Sequence, residues 1–486
     1  MTTNRSRRYD QEISRQTFLR GAVSLVATGA VFGTARAGAD PAAGWSGLAS
    51  SIGGSVLLPA NVAQFSAGKQ VFNSFYNGSN PAAVVKVSSQ ADVQKAVAFA
   101  KANNLKVAPR GGGHSYVGAS SANGTMVLDL RGLPGAPSLD GGNVTVTPAT
   151  NLYAVHQALA AAGRAVPAGT CPTVGIGGLA LGGGVGPDVR RAGLTCDALR
   201  SATVVLPSGD AVTASATENP DLFWALRGGG GGNFGVTTSM TFATFATGDS
   251  DLVRLDFPPS SAVQVITGWQ SWLANADRNT WGMVDLSVGS AQANCHVLAT
   301  SPPGTGPGVV DALKSAIGLA PTAVANKSLS HMDLVTYLAG GGATSPPRGF
   351  VAGSDVIGPM TSAAAHAIAT AIGQWPASGS GQASALIDPL GGAAADVAPA
   401  DTAFPWRNQS AVVQWYVEPA ANQIAAANTW LGTAHQAVQQ FSVGGYVNYL
   451  EANAAPARYY GPNLTRLSAV RQKYDPGRLM FSGLDF

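Results

Sequence analysis

Gly169-Thr170-Cys171-Pro172-Thr173-Val174-Gly175-Ile176-Gly177-Gly178, running on into Gly182-Gly183-Gly184-Val185-Gly186, is too dense in glycine for a regular helix or strand. Such density marks a backbone that comes close to a ligand. Upstream, Pro109-Arg110-Gly111-Gly112-Gly113-His114-Ser115 follows a strand-like stretch from Leu105, and its consecutive glycines let N–H groups converge on an anion. Downstream, Phe223-Trp224-Ala225-Leu226-Arg227 leads into Gly228 to Gly232, then Asn233-Phe234-Gly235-Val236, again with glycines between a helix and a strand. Three such nests in one α/β unit imply one long, phosphate-containing ligand. The run at 169–186 lacks a preceding parallel strand, a GxGxxG and a ribose-binding acid, so a Rossmann fingerprint fits poorly. A P-loop fails for want of Gly-Lys-Ser/Thr.

Around these runs short strands alternate with helices. Ala82 to Val87 reads as a strand, and Ser89 opens a helix whose Val93, Ala96, Val97 and Ala100 repeat at i, i+3, i+4, i+7. Strands follow at Thr125 to Leu130 and Val144 to Pro148, then a helix capped by Thr150 and stopped by Gly163. Leu199 to Leu206 and Ala211 to Thr213 flank the turn Pro207-Ser208-Gly209-Asp210, Asn219-Pro220 opens a helix through Leu226, and Gly235 to Phe242 returns as a strand. From about residue 250 Ala-rich helical stretches are separated by Pro/Gly/Ser segments such as Ser301 to Gly308 and 377–381. The last stretch regains aromatic and polar residues, as a segment returning to a site would.

The chain has 486 residues, enough for two or three domains, with 61 glycines, 45% apolar residues and 11% charged ones, a globular balance. A net charge of +3 with no run of Lys or Arg gives no footprint for nucleic acid or a lipid surface, so a small neutral partner is favoured. Cys171, Cys196 and Cys295 show no CxxC spacing, which excludes a structural zinc site of that type, and no metal ligand set is assigned.

Residues 1–39 read as an address. Arg5, Arg7 and Arg8 and the stretch Ser14 to Arg20 precede a weakly apolar run from Gly21 to Gly33, too short to span a bilayer, and small residues follow. The core Ser14-Arg15-Gln16-Thr17-Phe18-Leu19-Arg20 resembles a twin-arginine export signal, with Gln16 in place of the second arginine. Export by that machinery, to the periplasm or the outside, is the expectation.

The chain resembles the berberine bridge enzyme-like oxidases of the vanillyl-alcohol oxidase superfamily. The resemblance rests on Arg-Gly-Gly-Gly-His-Ser at 110–115, Cys-Pro-Thr-Val-Gly-x-Gly-Gly at 171–178, the Leu-Phe-Trp-Ala-Leu-Arg-Gly-rich run to Gly235, Tyr446-Val447-Asn448-Tyr449, and Tyr474-Asp475-Pro476. It covers the chain from about residue 70 to its end, most densely over 107–243. It implies an α+β fold: a two-part mixed α/β FAD-binding domain of the p-cresol methylhydroxylase type over 40–248, a substrate domain of antiparallel sheet covered by helices over 249–440, and a segment at 441–486 returning to the FAD domain.

By the same resemblance FAD is bonded covalently at its 8α-methyl by His114 and at C6 by Cys171. Imidazole and thiolate are nucleophiles able to add to an electron-poor ring. Further cofactor-binding residues would be Arg110, Gly111, Gly112, Gly113, Ser115, Val174, Gly175, Gly177, Gly178, Gly182, Gly183, Asn233, Gly235, Val236 and Asn463. Val174 matches the position that gates oxygen, and a small valine there resembles the oxidases, making O2 the expected acceptor. Leu179 departs from the polar residue that many relatives place near flavin N1.

Val412, Gln414, Tyr416 and Glu418 alternate on one strand face, and Tyr446 and Asn448 share a face in the next aromatic run. Gln414 and Tyr416 are expected to line the substrate pocket. The resemblance implies Tyr446 or Tyr449 as the general base, with Glu418 as runner-up. The implied reaction oxidises an alcohol or hemiacetal of a sugar or secondary metabolite. A flavin dehydrogenase, an oxidative cyclase and a non-catalytic ligand-binding relic are the alternatives.

Overall fold

Ser89 Oγ accepts the N–H of Asp92 at 3.1 Å and opens the helix Gln90–Ala102, which buries Val93, Ala96, Val97 and Ala100. That stripe packs on a four-stranded sheet ordered Ser55–Leu57, Ala83–Lys86, Met126–Asp129, Val107–Arg110, the last three mutually parallel. The computed structural model describes residues 41–289, 293–376 and 380–486. The export segment read at 1–39 and residues 377–379 of the segment at 377–381 lie outside them. Residues 44–486 make one compact unit.

A five-stranded antiparallel sheet follows, ordered Ser138–Asp140, Asn143–Val146, Val236–Ala243, Leu199–Val205, Ala211–Ser215. The hairpin read around Gly209 joins its last two strands. The helix expected to be capped by Thr150 is capped one residue later. Thr150 Oγ1 is engaged by Thr147 Oγ1 at 3.0 Å, while Asn151 accepts the N–H of Ala154 at 2.8 Å and the helix runs Leu152–Ala160.

The run at 169–186 also differs from expectation, because Ile176–Gly182 is a short helix. Glycine there serves close packing: a Cβ on Gly177 would lie 2.4 Å from Pro148 Cβ, and one on Gly182 would lie 2.0 Å from Asn448 Oδ1.

The second half is built on an eight-stranded antiparallel sheet ordered Ala323–Leu329, Ser250–Phe257, Ala293–Ser301, Trp281–Val288, Gly381–Pro389, Ala411–Pro419, Val351–Ile357, Ser442–Gly444. Helices Ala262–Asn275, Gly306–Ile317, Ser362–Gly373 and Ile424–Val438 cover one face over a core that includes Trp269, Trp272, Trp375, Trp415 and Trp430. Burying each large apolar side chain contributes about 1.5–3 kcal/mol. In Ala411–Pro419, Val413, Trp415 and Val417 join this core, so Val412, Gln414 and Tyr416 face the other way. The chain then crosses back: Tyr459, Tyr460, Leu467, Val470 and Tyr474 enter the core containing Phe223 and Trp224. Among the described residues no helix is long and apolar enough to cross a membrane. All three cysteines are free thiols.

Candidate active site

Gly112 and Gly175 bring the first two glycine runs together. A Cβ on Gly112 would lie 2.3 Å from Gly175 N, and one on Gly175 would lie 2.4 Å from Gly112 N, so two main chains touch with no room for a side chain. His114 and Cys171 are thereby placed on the wall of one cavity of about 530 Å³. Gly111, Gly112, Gly113, Ser115, Val174, Gly175, Gly177, Gly178, Asn233 and Gly235 line it too, with Gly230, Gly231 and Gly232 from the third run. Gln414, Tyr416, Tyr446 and Tyr449 line the same cavity. Buried Asn233 Oδ1 has no partner within the protein. A cavity lined by three glycine runs, with that free acceptor, a histidine and a thiol, fits a dinucleotide cofactor.

Five expected cofactor residues sit off this wall. The Arg110 guanidinium is fully buried and donates to Asp129 at 2.8 Å and to the Gly68 carbonyl, so it ties loops together from behind. Asn463 donates to the carbonyls of Pro399 and Thr402, at 2.7 and 3.1 Å, holding the 399–403 loop. Val236 is core in its strand, and Gly182 and Gly183 give room to Asn448 and to Phe404 and Tyr446.

The imidazole of His114 stacks on Phe72 with centroids 3.9 Å apart, and its Nε2 meets Thr173 Oγ1 at 3.0 Å. Burial lowers its pKa to about 4, against a hydrogen bond that the ring donates to the Thr173 main chain, so the ring is neutral at pH 7. Cys171 Sγ lies 3.8 Å from the same Thr173 Oγ1 and 3.9 Å from Ser345 Oγ.

Tyr446 to Tyr449 is a single 3₁₀ turn, Val447–Tyr449 with Tyr446 as its cap, where alternation suggests a strand. Three residues per turn put Tyr446 and Tyr449 on the same side, their rings edge to face at 4.9 Å. Gly184 N–H and Asn448 Nδ2 donate to Tyr446 Oη at 2.6 and 2.7 Å. Tyr449 stacks instead on Tyr116 at 5.1 Å, and Gln414 donates to the Tyr116 hydroxyl. Burial pushes Tyr116, Tyr416, Tyr446 and Tyr449 above the ordinary phenol value, and the Asp388 carboxylate adds to this at Tyr449. Tyr416 stacks on Phe350 at 4.8 Å. Glu418, the runner-up base, pairs with Arg348 at 2.9 Å where both are about two-fifths exposed, and of the two only Arg348 lines the cavity.

Sequence reasoning missed Asp388. Its strand pairs with Ala411–Pro419 so that Asp388 opposes Val412 and Leu386 opposes Gln414, which sets Asp388 on the cavity face. Burial lifts its carboxyl to about 7. The signal was the one carboxylate in the strand Gly381–Pro389. Tyr116 was also missed, although it stands two residues after His114.

The fold and this cavity define a flavin-binding oxidoreductase. The FAD binding domain family matches residues 81–215, and the family described as berberine and berberine like matches residues 445–480. An FAD-linked oxidoreductase of Bacillus subtilis, YgaK, is 30% identical over 411 residues, which is 82% of this chain and 89% of that protein. The chitooligosaccharide oxidase of Gibberella zeae is 29% identical over 430 residues, covering 82% and 86%. The crystal structure of the carbohydrate oxidase from Microdochium nivale in complex with a substrate analogue superposes with a TM-score of 0.81 at 25% identity, over 91% of this chain and 99% of that one. The chain belongs to the berberine bridge enzyme-like FAD-linked oxidases of the vanillyl-alcohol oxidase superfamily.

Proposed function

We propose that this protein is an exported oxidase whose FAD is bonded to both His114 and Cys171, and that it oxidises an alcohol or hemiacetal carbon of a sugar or sugar-bearing metabolite. The observation that carries the reading is the meeting of His114 and Cys171 at Thr173 on the wall of a cavity that Asp388, Gln414 and Tyr449 also line. Bound FAD would supply the hydride acceptor and pass two electrons to O2, giving hydrogen peroxide.

The protein's own part is to orient the substrate hydroxyl and remove its proton. Tyr449 is the freer base, since Tyr446 Oη already accepts from two donors, and the Asp388 carboxyl that acts on Tyr449 titrates where a general base works best. Gln414, held by Tyr116, can present its remaining amide groups to the substrate. Val174 leaves room beside Cys171 for O2.

A hydroxyl-rich substrate suits the sheet. Asp256, His296, Asp285, Leu386 and Gln414 oppose one another across five strands in one row, so polar side chains lead away from the reacting end. Asp285 Oδ1 and His296 Nδ1 have no partner within the protein. The oligosaccharide oxidase relative supports the same class. The basic leader supports export, and a fusion of residues 1–45 to a reporter tests it.

The experiment for the whole reading compares the wild type with His114→Ala and Cys171→Ala on denaturing gels and by absorption, followed by peroxide release on a panel of mono- and oligosaccharides. Flavin retained on the denatured wild type, with each single variant keeping one bond, is the expected result. A colourless wild type expressed with ample FAD would sink it.

A further inference from the structure

Thr173 Oγ1 lies 3.0 Å from His114 Nε2 and 3.8 Å from Cys171 Sγ, so one hydroxyl touches both side chains assigned to the flavin. A hydroxyl has one proton to give and lone pairs to accept with. Two relays use both contacts, and the one that suits attachment, with the thiol poised as a thiolate, has His114 Nε2–H donating to Thr173 Oγ1 and Thr173 O–H donating to Cys171 Sγ. In that tautomer Nδ1 carries no hydrogen and keeps the lone pair that a bond to the flavin needs. The Phe72 stack fixes the plane of the ring, and the Thr173 contact fixes which edge faces which way.

Thr173 is well held for this task. Val174 N–H closes a turn onto the Cys171 carbonyl at 3.3 Å, and Leu152 N–H and Tyr153 N–H donate to the carbonyls of Val174 and Pro172 at 2.9 and 3.1 Å. Its branched side chain has few rotamers to choose from.

We propose that Thr173 is the positioning residue for flavin attachment: its hydroxyl sets the tautomer and edge of His114, takes the first share of the proton that leaves Nε2, and holds Cys171 Sγ in place beside it. The inference rests on the bicovalent reading above. Each attachment balances as imidazole N–H or thiol S–H plus a flavin C–H plus O2, giving the C–N or C–S bond and H2O2. Two electrons and two hydrogens pass to O2, the acceptor of the proposed oxidase.

The test uses full-length protein purified as wild type, Thr173→Val, Thr173→Ala and Thr173→Ser, with digestion and mass measurement of the peptides bearing His114 and Cys171. Thermal melts and total flavin, bound or bonded, report folding and cofactor uptake separately. Thr173→Val and Thr173→Ala are expected to take up FAD but to carry about tenfold less adduct at His114, the effect of losing one buried hydrogen bond. They should also carry less at Cys171, while Thr173→Ser stays near wild type. Full adduct at both residues in Thr173→Val or Thr173→Ala overturns the proposal. A wild type without adduct at either residue overturns the bicovalent reading itself, a result separate from any ratio between variants.

Discussion

Gly112 and Gly175 meet backbone to backbone, each standing where the other's Cβ would be. Neither glycine has a positive φ, so the demand is for space and not for backbone conformation. Gly112→Ala is expected to force the His114 and Cys171 loops apart, costing about 2–3 kcal/mol and most of the bound flavin. A thermal melt and the flavin-to-protein absorbance ratio measure both. Gly47→Ala, in the helix Pro41–Ser51 with nothing within 4 Å of its added carbon, should instead stabilise by up to about 1 kcal/mol.

The two tyrosines of the 3₁₀ turn should separate by readout. Tyr449→Phe is expected to slow flavin reduction by about 10²–10⁴-fold, the usual contribution of general base catalysis, with little change in stability. Tyr446→Phe leaves Gly184 N–H and Asn448 Nδ2 without their acceptor. It should therefore cost about 1–3 kcal/mol in a denaturation midpoint.

Asp388 gives a pH signature. Its carboxyl, raised to about 7 by burial, must be ionised to draw a proton, so flavin reduction should accelerate as pH rises through about 7. Asp388→Asn should abolish that rise in stopped-flow traces. An unchanged profile would remove Asp388 from the reaction.

His435 predicts a different dependence, on stability. Burial opposes its charge, but Asp355 at 2.6 Å and Glu451 at 2.7 Å outweigh it and raise its pKa from 6.5 to about 9. The fold therefore holds a proton that the unfolded chain releases near pH 6.5. That stabilisation is complete below 6.5 and is lost as pH rises from there through about 9, on the order of 3 kcal/mol in all. Urea midpoints across this window should fall in the wild type and stay flatter in His435→Gln.

Val174 tests the acceptor. Val174→Leu should slow reoxidation by O2 while flavin reduction by substrate keeps its rate, seen by mixing reduced enzyme with aerated buffer. Slower reduction with unchanged reoxidation would place Val174 on the substrate side.

The parts of this molecule that were legible in the sequence are those set by local chemistry. Ser89 as a cap, the buried stripe from Val93 to Ala100, and the alternation of Val412, Gln414 and Tyr416 depend on neighbours within one element. Tyr446 and Tyr449 misled because aromatic residues in a short run read as a strand, while the turn has a period of three. Ile176–Gly182 misled because glycine's low helix propensity is overridden where only bare backbone fits. The lone carboxylate of Asp388 was visible in its strand, but its place on the cavity depends on pairing with a strand more than twenty residues further on. Arg110 and Asn463 carry groups that a ligand would welcome, yet their partners are Asp129 and main-chain carbonyls brought close only by folding.

The strand Ala411–Pro419 divides its labour by parity. Odd-numbered Val413, Trp415 and Val417 support the helices, and even-numbered Val412, Gln414 and Tyr416 face the cavity side of the sheet. Exchanging an even position alters what the cavity accepts and leaves the helix-packed layer untouched. New specificities can thus arise by single substitutions that carry little debt in folding, and the scaffold can be handed from one substrate to another while the cofactor loops stay as they are.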